Sequence, residues 1–161
     1  MIARPNAFQK LLHRFFMQSS VTAFFAPWIH HLDGTILKLT KGKYAVSEIL
    51  GWNIIQLTTI GARTNRLHTV PLVGLFDGDK IVLIASSLGR AHHPGWYYNL
   101  KKNPGCEVQW NGRSSNFLAH EAERDERDKY WQLALSYYAG YEKYKARAGR
   151  TIPVLVLEPK R

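Results

Sequence analysis

The chain has 161 residues, one cysteine, and 22 Lys and Arg against 12 Asp and Glu. A lone Cys forms no intrachain disulfide and no Cys-based zinc site, and 45% apolar residues supply enough hydrophobic surface to exclude a wholly disordered chain. The length fits a single domain over 1–161, and a formal net charge of +10 calls for an anionic partner: nucleic acid, a membrane surface, or a phosphorylated or carboxylated small molecule.

Residues 1–40 read as a helical segment. Phe8, Leu11, Leu12, Phe15 and Phe16 fall on one helical face, opposite Arg4, Lys10, His13 and Arg14. Val21, Phe24, Phe25, Trp28 and Ile29 continue the pattern, with a break or kink at Pro27. The uncharged run from Phe15 to Ile29 is shorter and more polar than the ~20 apolar residues of a spanning helix, and no small-residue cleavage site follows it. Two readings fit. These helices pack across an open sheet, the reading favoured by how amphipathic helices usually behave. Otherwise residues 1–30 touch a membrane surface through Phe and Trp, which places a cytoplasmic protein at the inner face of the cell membrane.

From Gly51 the periodicity shifts to that of strands. Trp52–Ile60, Leu67–Phe76, Lys80–Ser86, Cys106–Trp110, Ser114–Ala122 and Thr151–Leu157 are rich in β-branched and apolar residues. Asp77-Gly78 and Asn111-Gly112 are hairpin turns. Helical stretches are predicted over Pro94–Lys102, Asp125–Tyr138 and Tyr141–Ala148. No strand is followed by a glycine-rich phosphate loop and helix, which excludes a Rossmann dinucleotide site. The class is α+β, a mostly antiparallel small barrel over 51–159 with helices packed across it.

Three constellations could carry chemistry. The loop Gly61-Ala62-Arg63-Thr64-Asn65-Arg66 offers two guanidinium groups, a hydroxyl and turn amides to a phosphate or carboxylate; taken alone it reads as a solvated hairpin loop with incidental charge. The stretch Ser86-Ser87-Leu88-Gly89-Arg90-Ala91-His92-His93-Pro94-Gly95-Trp96-Tyr97 follows a buried strand, and its small residues let a ligand approach the backbone. His92 and His93 are adjacent and lack metal-ligand spacing. Tyr138, Tyr141 and Tyr144 recur every three residues, the stripe spanning a bend at Gly140. Such a stripe is ordinary core, or it is a wall for a flat ligand whose phenols donate a hydrogen bond or proton to a forming oxyanion. No nucleophile arrangement or carboxylate pair stands out, and Cys106 reads as a buried structural thiol. The chain is equipped to bind a molecule that brings its own reactivity.

Read together, these segments resemble the deazaflavin-dependent nitroreductase family of quinone and nitro reductases. The resemblance runs over nearly the whole chain: His31-Leu32-Asp33, Leu57-Thr58-Thr59-Ile60-Gly61-Ala62-Arg63-Thr64, Thr69-Val70-Pro71-Leu72, Ala85-Ser86, His92-His93-Pro94-Gly95-Trp96-Tyr97-Tyr98-Asn99-Leu100-Lys101-Lys102-Asn103-Pro104, Tyr141-Glu142-Lys143-Tyr144 and Ile152-Pro153-Val154-Leu155-Val156-Leu157. It implies a split β-barrel of the flavin-reductase kind and hydride transfer from a reduced 8-hydroxy-5-deazaflavin (coenzyme F-420) to a quinone or nitro acceptor. The deazaflavin carries a phosphodiester and an oligoglutamate tail, in keeping with the +10 charge. By the resemblance Arg63, Thr64, Arg66, His68, Ser86, Ser87, Gly89 and Arg90 bind the cofactor, Trp96 and Tyr144 border the acceptor, and Tyr138 and Tyr141 assist the chemistry. A homodimer is expected by the same analogy.

This chain departs from the family pattern at three places. Asn65 replaces a glycine, His68 a basic residue, and Gly89-Arg90 a Gly-Ala pair. These departures keep flavin mononucleotide open as an alternative cofactor, and a flavin- or haem-binding split-barrel protein as the alternative function. Nucleic-acid binding is disfavoured, because the aromatic residues follow core-like periods and do not interleave with a basic stripe. No metal is expected.

Overall fold

Strands form where alternating or continuous apolar runs meet turn residues. The computed structural model describes residues 53–160. The N-terminal helical segment over 1–40, its membrane-contact reading through 1–30, and Trp52 at the start of the first predicted strand lie outside the described residues. The elements run β1 (Ile54–Ile60), β2 (Leu67–Val73), β3 (Leu75–Asp77), β4 (Lys80–Ile84), α1 (Gly95–Lys102), β5 (Gly105–Trp110), β6 (Arg113–Glu121), α2 (Arg124–Tyr137), α3 (Gly140–Ala148) and β7 (Val154–Pro159). Asn111 and Gly112 both take positive φ (49° and 72°), as a type I′ turn demands, and bring Trp110 opposite Arg113.

The seven strands form one antiparallel sheet in the order β2-β1-β5-β6-β7-β4-β3. Its two edges, β2 and β3, are consecutive in the chain and separated by Gly74 alone. Edges that meet at one residue force the sheet to curl on itself, and the result is a split barrel. Gly74 is buried at that corner, where an added Cβ would lie 3.0 Å from the Ile55 side chain; the predicted single strand over 67–76 divides there, its first part pairing with β1 and its second with β4.

Strands β4 and β7 are buried on both faces because each serves two cores. Ile81, Leu83, Leu155 and Leu157 join Ile55, Leu57, Val108, Phe117, Trp96 and Leu100 under α1. Val82, Ile84, Val154 and Val156 face Trp131, Ala134, Tyr137, Tyr141 and Tyr144 of α2 and α3. Period-2 alternation thus explains the continuous apolar runs. Strand β7 begins at Val154, later than the predicted Thr151. The Thr151 and Ile152 carbonyls accept hydrogen bonds from the Arg150 and Arg127 guanidinium groups, at 3.2 and 3.3 Å, and the Pro153 carbonyl from the Ala85 N–H at 2.9 Å.

Among the described residues no helix is long and apolar enough to cross a membrane.

Candidate active site

Two hollows meet at Trp96. One is an open, basic basin of about 1050 Å³. It lies between the loop after β1 and the helix α1, and is lined by Arg63, Thr64, His68, Lys101 and Lys102 together with Thr59, Asn99 and Trp96. The other is a mostly apolar cavity of about 180 Å³ between the sheet and α3. Pro71, Leu72 and Leu83 form its apolar side; Ser86, Trp96 and Tyr137, Tyr138, Tyr141 and Tyr144 complete it. A 150 Å³ apolar cavity is known to hold benzene, so the smaller hollow has room for about one six-membered ring, while the larger falls in the size range of small-molecule sites.

The basin loop is held from both ends. The Gly61 N–H donates to the Arg66 carbonyl at 2.7 Å and the Asn65 N–H to the Gly61 carbonyl at 2.9 Å. Asn65 sits at φ 53°, a left-handed conformation that Gly adopts freely and Asn tolerates better than most residues. The departure at this position therefore keeps the turn. A side chain at Gly61 would strike the Thr64 hydroxyl and the His68 ring. His68 hydrogen-bonds through Nε2 to Thr64 Oγ1 at 3.0 Å, and the Arg66 N–H donates to the same hydroxyl at 3.3 Å. Thus His68 lines the basin and braces the loop. Arg66 shapes the loop through its backbone and does not line the basin.

Helix α1 clasps the same loop. The Lys102 ammonium donates to the Ala62 carbonyl at 2.7 Å, the Asn103 amide to the Ile60 carbonyl at 3.4 Å, and the Asn99 amide to buried Thr59 at 3.0 Å. Lys101 pairs with Glu121 at 2.9 Å, and that hydrogen bond raises the pKa of its ammonium. Glu121 also accepts from the Tyr97 hydroxyl at 3.1 Å. Arg63 is exposed and makes no ion pair among the described residues. It is the basin's free guanidinium.

The tyrosine wall spans the bend expected at Gly140. Tyr138 is extended (φ −150°) between α2 and α3, whereas Tyr141 and Tyr144 share a face of α3. The rings converge all the same, with centroids 5.6 Å (138–141), 6.0 Å (138–144) and 6.1 Å (141–144) apart. Burial, then the neighbouring Tyr138, pushes the Tyr141 and Tyr144 phenols up from the ordinary tyrosine value, so both remain neutral hydrogen-bond donors at physiological pH.

The loop after β4 is bent tightly. Ser87, Leu88 and Gly89 follow one another at φ 51°, 55° and 77°. For Ser and Leu this conformation costs on the order of 1–3 kcal/mol each. An added Cβ on Gly89 would lie 3.1 Å from the Tyr144 backbone, so only glycine lets the loop press against α3. Ser86 and Leu88 reach the cavity; Ser87, Gly89 and Arg90 line neither hollow.

Of the residues singled out in the sequence, Arg63, Thr64, His68, Ser86, Trp96 and the three tyrosines line one hollow or the other, and sequence reasoning assigned no role to Asn99, Lys101, Lys102, Tyr137, Leu88 or Arg150. Part of that set was detectable. Trp96, Asn99 and Lys102 recur every three residues of a predicted helix, which puts them near one side of it.

A sequence family described as F420H(2)-dependent quinone reductase matches residues 34–159. The chain belongs to this family. An F420H(2)-dependent quinone reductase of Mycobacterium tuberculosis is 36% identical over 106 residues, covering 64% of this chain and 71% of the relative. The solved structure of an F420-H2 dependent reductase, FDR-A, aligns with a TM-score of 0.61 and 36% identity over 66% of this chain and 94% of that one. Another, described as a domain-swapped dimer, aligns with a TM-score of 0.64 and 32% identity over 83% and 98%. Membership of the F420H(2)-dependent quinone reductases favours the deazaflavin over flavin mononucleotide or haem, and the split barrel is the fold shared with FDR-A.

Proposed function

We propose that the protein is an oxidoreductase whose basic basin holds the reduced deazaflavin (coenzyme F-420) and whose tyrosine-lined cavity holds the ring of a quinone. The observation that carries this reading is the meeting of a cationic hollow and a one-ring apolar hollow at a single indole, Trp96. When bound, the reduced deazaflavin supplies the hydride. The chain's own residues bind, orient and protonate.

Arg63 is placed to accept a phosphate bidentately, with the Thr64 hydroxyl beside it. Lys102 adds charge to the same wall while its ammonium also holds the Ala62 carbonyl. Trp96 is buried and lines both hollows, so it would border both the flat cofactor and the flat acceptor. The apolar side of the cavity excludes water from the acceptor. The phenols of Tyr141 and Tyr138 line the cavity and would donate a hydrogen bond or proton to a quinone oxygen as it gains negative charge. A nitro group presents similar oxygens, which makes nitro compounds the second acceptor class. The aligned domain-swapped dimer suggests a homodimer for this chain as well.

Mixing the protein with the reduced deazaflavin and menadione and following cofactor oxidation tests this reading. Turnover well above the uncatalysed rate is expected. None with several quinones would remove it.

A further inference from the structure

Arg150 lines neither hollow, yet its guanidinium is wholly given over to backbone carbonyls. Nε donates to Arg90 O at 3.2 Å and Nη1 to Thr151 O at 3.2 Å. Nη2 donates to Ala85 O at 3.3 Å, Ser86 O at 3.3 Å and His92 O at 3.1 Å. Four of these five acceptors belong to one stretch, the loop that leaves β4 and leads to α1. No carboxylate shares the charge among the described residues.

Past its first residue, whose N–H donates to Pro153 O, the backbone hydrogen bonds of that loop are short-range, from Ser86 N–H to Ile84 O, Gly89 N–H to Ser86 O and Arg90 N–H to Ser87 O. Left-handed residues other than glycine persist only where their surroundings over-determine them. Arg150 supplies that constraint from outside. Its planar fork donates in several fixed directions at once, which a lysine ammonium on a flexible stem does not reproduce. The carbonyl of Ser86, whose side of the chain reaches the cavity, is among those held.

We infer that Arg150 is a positioning residue for the acceptor cavity. It fixes the loop from Ala85 to His92, and through that loop sets the place of Ser86 and Leu88, which line that cavity. The inference rests on the function proposed above. Arg150 itself lines neither hollow, so its loss weakens acceptor binding and leaves cofactor affinity alone.

Arg150→Lys and Arg150→Gln test this. Three quantities are measured on each folded variant: the cofactor dissociation constant, kcat and acceptor KM at saturating cofactor, and amide hydrogen exchange over residues 85–92 without any ligand. Both variants are expected to exchange faster in that segment and to raise the acceptor KM about tenfold, with kcat and the deazaflavin dissociation constant within about twofold of the parent. A merely structural Arg150 lowers the melting temperature without this split between acceptor KM and cofactor affinity, and that result overturns the inference. Unchanged exchange over 85–92 overturns it too, and this measurement needs no cofactor. If the unmodified protein fails to bind the deazaflavin, the proposed function falls, while exchange still decides whether Arg150 holds the loop.

Discussion

Asn99 and Ala62 are joined across the basin: the Asn99 side-chain Oδ1 accepts the Ala62 backbone N–H at 2.9 Å. The same side chain donates through Nδ2 to Thr59 Oγ1 at 3.0 Å, and Thr59 is 1% exposed. One amide therefore satisfies a loop N–H and a buried strand hydroxyl, locking the loop after β1 to α1. Asn99→Ala leaves both without this partner, at about 1–3 kcal/mol for such unsatisfied groups. The expected outcome is a lower urea midpoint together with weaker deazaflavin binding. A variant with unchanged stability shows that the two contacts add nothing net.

Arg63 tests the basin directly. It is the one basin guanidinium, exposed and without an ion pair among the described residues. A charge-assisted hydrogen bond is worth about 1.5–3 kcal/mol, so Arg63→Ala is expected to raise the cofactor dissociation constant about tenfold or more. The turnover number at saturating cofactor stays near that of the parent if the guanidinium grips the tail, as proposed, and not the reacting ring. Added salt should narrow the gap between the two proteins. Equal affinity in parent and variant at low salt refutes the phosphate role.

Much of this arrangement was legible in the residues, for identifiable reasons. The Asn111-Gly112 hairpin and the doubly buried runs at 81–84 and 154–157 follow from turn chemistry and side-chain period. The loop at Gly61–Arg66 is visible as a cluster of turn formers carrying arginines. The roles of Asn99 and Arg150 are not, because both act on chain segments distant in sequence: Asn99 on Thr59 and Ala62, Arg150 on residues 85–92. Pattern reading sees neighbours at fixed offsets, and a side chain bonded to a remote carbonyl leaves no periodic trace. The division at Gly74 is hidden as well, because its two parts pair with different strands, β1 and β4.

The tyrosine wall makes a prediction about pH. Burial, then Tyr138, raises the Tyr141 and Tyr144 phenols above the ordinary value of ~10. The folded chain thus holds these protons more tightly than the unfolded chain does. Their contribution to stability is full below pH ~10 and is lost as pH climbs through the raised folded values. Absorbance titration near 295 nm should show a late tyrosinate step that coincides with alkaline unfolding and shrinks in Tyr141→Phe/Tyr144→Phe. Ionisation of these phenols near pH 10 with native circular dichroism intact contradicts their burial.

Cys106 is expected to be chemically silent. It is 7% exposed within the inner core, and burial pushes its thiol up to about 12. The thiolate is the reactive form, so a disulfide reagent at pH 8 should label the folded protein far more slowly than the urea-unfolded one. Fast labelling of the native protein shows that the barrel opens at β5. Cys106→Ala is expected to retain quinone reduction.

Gly140 isolates the role of the tyrosine geometry. It begins α3 two residues after the extended Tyr138, and an added Cβ there would strike the Tyr138 ring. Gly140→Ala therefore displaces Tyr138 from its 5.6 and 6.0 Å contacts with Tyr141 and Tyr144 while leaving the basic basin untouched. Overpacking of this kind costs about 1–3 kcal/mol. The expected result is weaker acceptor handling, seen as a raised quinone KM or a lowered kcat, with deazaflavin affinity unchanged. Gly105→Ala is the matched control, because nothing lies within 4 Å of its added Cβ, and it should behave as the parent. If Gly140→Ala turns over quinones as the parent does, the convergence of these three rings is core packing and has no part in the reaction.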